Sequence, residues 1–396
     1  MKNLTKSVML SLVAAVCGTA TQAQTFKQEY ADIANQASQS GIITNLTEFE
    51  NFGLKYRGTV NQANTLQWLK NKYLSYGYTT SELSEDTFSY SGSTCKNLIV
   101  TKMGTVYPNT YVIVCGHYDT AVGSGTNDNG SGVVTILEIA RLLQNIPTEY
   151  SIKFINFSGE EDGLLGSTHY VTSVVNGTTP KMDIKLVFNI DEIGSVAGIV
   201  NDKIVCERDL FAPTSNNVAS DVVTRELMAC TELYSPLKAE LSYAYGSDYM
   251  PFQENGEVIT GFFEHYYSPH AHTTQDLLVN LDTTYVYNVA KAAIGATLHF
   301  AKATIPTPET ENATKDFNVS FFPNPVKDRL TINKGKLTAN AYTFTIVDIH
   351  GNRVLNQHVT NAELLETVDI STLKRGIYMA VLEADTHKIT KKIMIE

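Results

Sequence analysis

Four apolar runs in this chain stop at a histidine or an acid, or in a loop that carries one, and this repeated stop constrains the fold most. Tyr111–Cys115 has the length and β-branched content of a buried strand. It breaks at Gly116 and presents His117, Tyr118 and Asp119, and a Gly/Ser/Asn loop then carries Asp128 to the start of a helical pattern. Ser151–Ser158 runs into Glu160, Glu161 and Asp162, and Lys185–Ile190 ends on Asp191. Val258–Phe263 leads into a loop holding Tyr266, Tyr267, His270 and His272. Helical spacing covers Gly130–Gln144, Leu164–Val175, Ser215–Cys230 and Thr284–Lys302. Strands alternating with helices predict an α/β sheet covered on both faces. In such sheets ligands bind beyond the carboxyl ends of the strands.

The remaining segments give further expectations. Thr59–Leu74 reads as a helix, with Ala63, Leu66, Leu69 and Tyr73 on one side. Asn97–Lys102 and Tyr111–His117, separated by Pro108-Asn109, read as a hairpin. Residues 1–23 read as a signal peptide: Lys2 and Lys6, then an apolar run from Val8 to Val16 too short to span a membrane, then small residues to Ala23. The net charge of −11, or −13 without Lys2 and Lys6, makes the chain a poor candidate for phosphate-backbone binding, so nucleic acid is not an expected partner. Beyond residue 23 there are four cysteines and no CxxC pair, which argues against a cysteine zinc site. Cys206 and Cys230 are candidates for a disulfide, and Cys95 and Cys115 for buried thiols.

Taken together, His117, Asp128, Glu161, Asp191 and His272 are two imidazoles and three carboxylates, a donor set that suits two Zn²⁺ ions with one bridging carboxylate. Glu160 is not needed as a ligand. Side chains diverge where a chain turns out of a strand, so Glu160 is free to face a metal-activated water as general base. Asp119, two residues after His117, is placed to accept the other imidazole N–H. Singly, each residue has an ordinary explanation as a solvated turn, a helix cap or a satisfied histidine. His169, His265 and His270 keep that ordinary reading.

The pieces GHYDT (116–120), NDNGSG (127–132), FSGEEDGLLGS (157–167), NIDEIG (189–194), GSDYMPF (246–252) and HTTQD (272–276) resemble, in content and order, the co-catalytic di-zinc aminopeptidases of the secreted bacterial leucyl type. Glutamate carboxypeptidases and glutaminyl cyclases are relatives of that family. The resemblance spans roughly residues 50–303. It implies a zinc-peptidase fold, a mixed β-sheet flanked by helices on both faces. It also implies that His117, Asp128 and Asp191 serve one metal, that Asp128, Glu161 and His272 serve the other, and that the Asp128–Asn129 peptide is cis. Two positions depart from the family pattern. Glu192 stands where many relatives carry an apolar residue, which disfavours an acidic first side chain in the substrate. Of Tyr243 and Tyr245, neither at the usual spacing, Tyr245 is the candidate for oxyanion stabilisation. Phe263, Tyr266 and Tyr267 are candidates for the wall of an apolar substrate pocket.

Composition changes at Thr304, and residues 304–317 read as a linker. Residues 318–396 run in short alternating segments with turn residues between them, the pattern of a small all-β sandwich. FFPNPVKDRLT (321–331), TIVDIHGNRV (345–354), VDISTLKRGIYMAVLEA (368–384) and the final KITKKIMIE resemble the C-terminal sorting domain of the bacterial type IX secretion system. The expectation is therefore a signal peptide (1–23), a di-zinc peptidase domain (24–303), a linker (304–317) and a sorting domain (318–396). The protein is expected to be a secreted monomer, possible cell-surface attachment included, exported by the type IX machinery and cleaving the first residue from peptides with a free N-terminus. The alternatives are a carboxypeptidase, a glutaminyl-cyclase-like relative, or an inactive surface-binding module.

Overall fold

The computed structural model describes residues 25–305, 317–348, 352–384 and 387–396. The expected signal peptide and most of the expected linker lie outside these. The chain divides into two compact units, with the boundary after Ile305.

In the first unit, helices α1 (Gln28–Ala34), α2 (Gln39–Asn51) and α3 (Val60–Ser75) lead into β1 (Leu83–Tyr90), β2 (Ser93–Lys102) and β3 (Tyr107–His117). Then come α4 (Gly130–Leu143), β4 (Tyr150–Phe157), α5 (Leu165–His169), β5 (Asp183–Ile190) and β6 (Lys203–Arg208). The unit closes with α6 (Asn217–Tyr234), β7 (Lys238–Tyr243), α7 (Met250–Glu254), β8 (Ile259–Glu264) and α8 (Thr283–Phe300). The eight strands form one sheet in the order β1-β2-β4-β3-β5-β8-β6-β7. The four central strands, β4, β3, β5 and β8, are mutually parallel. They are also the four apolar runs that end in polar residues.

These strands are buried on both faces, and the alternation of their side chains shows it. Val112 and Val114 of β3, Ile152 and Phe154 of β4, and Leu186, Phe188 and Ile190 of β5 join the core under α1, α2, α3, α4, α6 and α8. Their neighbours Ile113, Cys115, Ile155, Phe157, Ile184 and Val187 join a second core with Tyr170 and Val171 beyond α5 and Phe252 of α7. Two-sided burial of this kind is how a parallel sheet satisfies near-continuous apolar runs. Helix α4 is apolar almost all round and buried along its length. Its N-cap, Asn129, accepts the Gly132 N–H at 2.9 Å. Gly132 is required there, because a Cβ would lie 2.3 Å from the Ile190 carbonyl oxygen. The start of α4 thus sits against the end of β5, which draws Asp128 toward Asp191.

Several expectations are corrected. The predicted hairpin of β2 and β3 does not form. The later strand β4 inserts between them, antiparallel to β2 and parallel to β3, because a β3–α4–β4 crossover places parallel neighbours side by side. The helix expected over 164–175 is α5 followed by a π-helical stretch, Tyr170–Val175. Cys206 and Cys230 are free thiols rather than a disulfide. Each packs into the main core as a small apolar side chain. Strands β1, β6 and β7 had no apolar run to announce them.

The second unit contains β9 (Ser320–Phe322), β10 (Arg329–Asn333), β11 (Ala341–Val347), β12 (Arg353–Thr360), β13 (Leu365–Asp369), β14 (Gly376–Ala384) and β15 (His387–Ile395). They form a three-stranded sheet, β13-β10-β9, and a four-stranded sheet, β12-β11-β14-β15. All of these pairings are antiparallel. Leu330 and Ile332 from one sheet share a core with Phe344, Ile346, Ala380 and Leu382 from the other, as the alternating pattern predicts.

Candidate metal centre and substrate cavity

His117 is the last residue of β3, Asp191 follows β5, and Glu160 and Glu161 follow β4 across the tight turn at Gly159. Asp128 precedes α4, and the Asp128–Asn129 peptide is cis. His272 lies in the loop after β8, at a left-handed φ of 55°. His117 Nε2 stands 3.3 Å from Asp128 Oδ1 and 3.4 Å from Asp191 Oδ1. His272 Nε2 stands 2.9 Å from Asp128 Oδ2 and 3.3 Å from Glu161 Oε2. Two sets of convergent ligand atoms result, His117–Asp128–Asp191 and Asp128–Glu161–His272, and Asp128 belongs to both. Glu160 Oε2 reaches to 4.0 Å from His117 Nε2 without joining either set.

The donor set fits two divalent ions. Asp128 Oδ2 and Asp191 Oδ1 are buried and make no well-directed hydrogen bond, an expensive arrangement unless they bind something. Burial opposes a charged His117, yet Asp191 and Glu160 hold its imidazole well above the usual range. Burial pushes Glu160 well above the carboxylate range, and burial together with Asp128 pushes Glu161 up to about 7. Alongside burial, the neighbouring carboxylates contribute to all three shifts: there is more negative charge than the side-chain cations offset, a deficit that dications would fill.

The residues around the ligands hold them in place. Asp119 does so differently from expectation. Its carboxylate lies 3.8 Å from His117 Nδ1, whereas its backbone carbonyl lies at 3.1 Å. The turn after β3 brings that carbonyl back to the ring, and the carboxylate accepts the Glu160 N–H at 3.2 Å instead. A carbonyl only accepts, so Nδ1 carries a proton, and this leaves Nε2 as the ring nitrogen that would face an ion held with Asp128 and Asp191. Ser247 Oγ donates to Asp191 Oδ2 at 2.5 Å and accepts from Asn189 Nδ2 at 2.8 Å. Asp276 accepts the backbone N–H groups of Asn127 and Asp128 at 2.7 and 2.9 Å, which fixes the loop that carries the shared ligand. Arg57 pairs with Asp162 and ties down the acidic turn after β4.

A cavity of about 690 Å³ opens onto both ligand sets. Its lining includes Glu160, Glu192, Glu207, Tyr245, Ser247, Tyr249, Phe263 and Tyr267. Tyr245 is largely exposed at the cavity, while Tyr243 lies on β7 beside Phe211 and does not line it. Phe263 and Tyr267 stack with centroids 6.1 Å apart. Tyr266 turns away, edge-on to His265. Among the described residues, no lysine or arginine lines the cavity. Sequence reasoning missed Glu207, Ser247 and Asp276 as individual residues. The last two stand inside quoted motifs, but Glu207 sits in a short mixed strand with no motif around it.

Residues 97–297 of the 396 match Peptidase family M28. The chain belongs to that family. Within this M28 chain, residues 320–396 match a secretion system C-terminal sorting domain. The aminopeptidase YwaD of Bacillus subtilis is 31% identical over 170 residues, which are 42% of this chain and 35% of that protein. An aminopeptidase of Pseudomonas aeruginosa is 33% identical over 159 residues, 39% of this chain and 28% of that protein. The matched segment thus spans about a third or less of the length of these relatives. Among solved structures, the Legionella pneumophila LapA aminopeptidase superposes with a TM-score of 0.61 at 21% identity, covering 77% of this chain and 81% of that one. The aminopeptidase from Aneurinibacillus sp. strain AM-1 gives 0.57 at 16% identity, covering 70% and 98%. At these identities the structures speak for the fold.

Proposed function

We propose that this M28 chain is a secreted aminopeptidase that uses two zinc ions to hydrolyse the first peptide bond of substrates with a free N-terminus. The observation that carries the reading is the pair of ligand sets sharing Asp128, with Glu160 beside them and unused by either. His117, Asp128 and Asp191 would hold one ion, and Asp128, Glu161 and His272 the other. When bound, the ions supply Lewis-acid activation of water and of the substrate carbonyl. Glu160, which lines the cavity beside the ligand sets, would act as the general base, taking a proton from the attacking water and returning it to the leaving amine. The Asp119 carbonyl and Ser247 keep His117 and Asp191 aligned, and Tyr245 offers a hydroxyl to the carbonyl oxygen as negative charge develops there.

The rest of the domain reading completes the proposal. Residues 24–303 form the peptidase and 304–317 the linker. Residues 318–396 direct export by the type IX machinery, with the leader at 1–23 opening the route. The absence of lysine and arginine from the described cavity lining counts against a carboxypeptidase, which needs a cation for the substrate carboxylate.

The full chain, with zinc counted, is to be incubated with a leucine-led peptide and its N-acetylated twin, with and without chelator. Cleavage of the free form alone, lost with chelator and tracking two zinc per chain, is the expected result. Equal cleavage of both forms would sink the aminopeptidase reading. Two zinc with cleavage of neither would favour a binding module.

A further inference from the structure

The ligand sets and the base use four of the carboxylates at the cavity: Asp128, Glu161, Asp191 and Glu160. Two more line it and have no role in that chemistry. Glu207, on β6, is 7% exposed. Its Oε2 accepts the Tyr249 hydroxyl at 2.5 Å, and among the described residues its other oxygen accepts no side-chain hydrogen bond. The pairing is built from the backbone up. Glu207 lies opposite Gly261 of β8, and a Cβ there would meet the Tyr249 ring at 2.7 Å. Gly261 therefore makes room for the tyrosine that orients Glu207. Glu192 follows the ligand Asp191 at a left-handed φ of 44°, and its Oε2 is buried with no hydrogen-bond partner.

Buried carboxylates without a cation are costly and are normally paired. Two dications, if bound, would match the charge of the three carboxylate ligands and Glu160, and would not by themselves balance Glu192 and Glu207. No lysine or arginine among the described lining residues supplies the missing charge. The cavity that both acids line also carries the aromatic side chains Tyr245, Phe263 and Tyr267. A cavity lined by aromatic rings and by carboxylates outside the ligand sets matches a side chain with an apolar stem and a cationic head.

We propose that this pocket selects peptides whose first residue is lysine or arginine, with Glu207 and Glu192 receiving the charge of that side chain. The inference rests on the aminopeptidase reading and gives it a substrate class. It also revises the expectation drawn from Glu192 alone: the pocket does more than repel acidic residues.

The test uses the zinc-loaded full chain and coumarin amides of lysine, arginine, norleucine and leucine. Norleucine keeps the stem of lysine and lacks its charge. The expected kcat/KM for lysine exceeds that for norleucine by about tenfold or more. Glu207→Gln retains an oxygen for the Tyr249 hydroxyl and is expected to lower the lysine-to-norleucine ratio several-fold, mainly through KM, as is Glu192→Gln. A merely structural role for Glu207 would slow both substrates alike and leave the ratio unmoved, which would overturn the proposal. So would norleucine equal to or better than lysine in the unaltered protein. Calorimetric binding of lysinamide against norleucinamide separates the two readings. If no amide is turned over, the aminopeptidase reading fails. In that case tighter lysinamide binding that depends on Glu207 still supports the cation pocket, and equal binding overturns it.

Discussion

Strands β4, β3, β5 and β8 and the flanking pair β6 and β7 share one sheet but carry different duties. Each central strand is buried on both faces and places a ligand or the ligand-bearing loop beyond its carboxyl end. A change in their register would cost core packing and the metal centre together, because a one-residue slip moves every side chain to the opposite face. The flank is looser. The side chains of β7 are all half-buried or exposed, and β6 mixes buried with half-buried positions. It contributes one buried acid, Glu207, and the loop after β7 that holds Tyr245 and Ser247. The difference teaches that the chemistry is lodged where the fold tolerates least variation. In the proposed reading the fit to a particular substrate is shared: Glu207 and Tyr245 lie at the flank away from the ligands, whereas Glu192 adjoins Asp191 and the flank's Ser247 holds Asp191 in place.

The largest effect expected at the centre is that of Glu160→Gln, a loss of roughly 10²–10⁴-fold in kcat with zinc content and unfolding midpoint kept. Turnover near normal would remove Glu160 from the mechanism and leave the centre with ligands only. Next is Asp276→Ala. It strands two buried N–H groups, at about 1–3 kcal/mol each, and frees the loop that carries Asp128. Weaker zinc retention under competing chelator is expected, with Asp276→Asn intermediate. Unchanged retention would show that the centre holds its shared ligand without this support. At the flank, Tyr245→Phe is expected to lower kcat by at most about 10²-fold, less than Glu160→Gln because the ring is largely exposed. A larger loss would move part of the chemistry to the flank and break the division.

The same division governs what was legible in the sequence. The central strands could be read because two-sided burial writes an uninterrupted apolar run, and the chemistry appears as its abrupt end at His117, Glu160 or Asp191. The flank could not. Strand β6 (KIVCER) and strand β7 (KAELSY) mix polar and apolar residues, and the neighbours that make Glu207 a cavity residue, Tyr249 and Gly261, lie 42 and 54 positions away in sequence. The hairpin reading of β2 and β3 failed for a related reason: adjacency in sequence says nothing about a later strand that inserts between them. For Asp119, sequence spacing identified the right residue but not which of its groups meets the imidazole.

The smallest effect concerns the helical layer behind the sheet. His299 of α8 lies 2.8 Å from the Tyr234 hydroxyl of α6 through Nε2, with Tyr30 of α1 edge-on to its ring. A neutral imidazole can accept from the phenol there. Burial, aided by Lys27, holds the ring neutral and lowers its pKa to about 4. The folded value lies below the unfolded one of about 6.5. The stabilisation is therefore complete above pH 6.5 and is lost as the pH falls toward 4. Trp68, the single tryptophan, lies on α3 of the same unit, so its fluorescence reports the unfolding of that unit. His299→Phe is expected to flatten the fall in unfolding midpoint between pH 6.5 and 4 relative to the unaltered chain. An equally steep fall in the variant would assign that acid sensitivity to other groups, and the helical layer would then have no titrating contact of its own at this position.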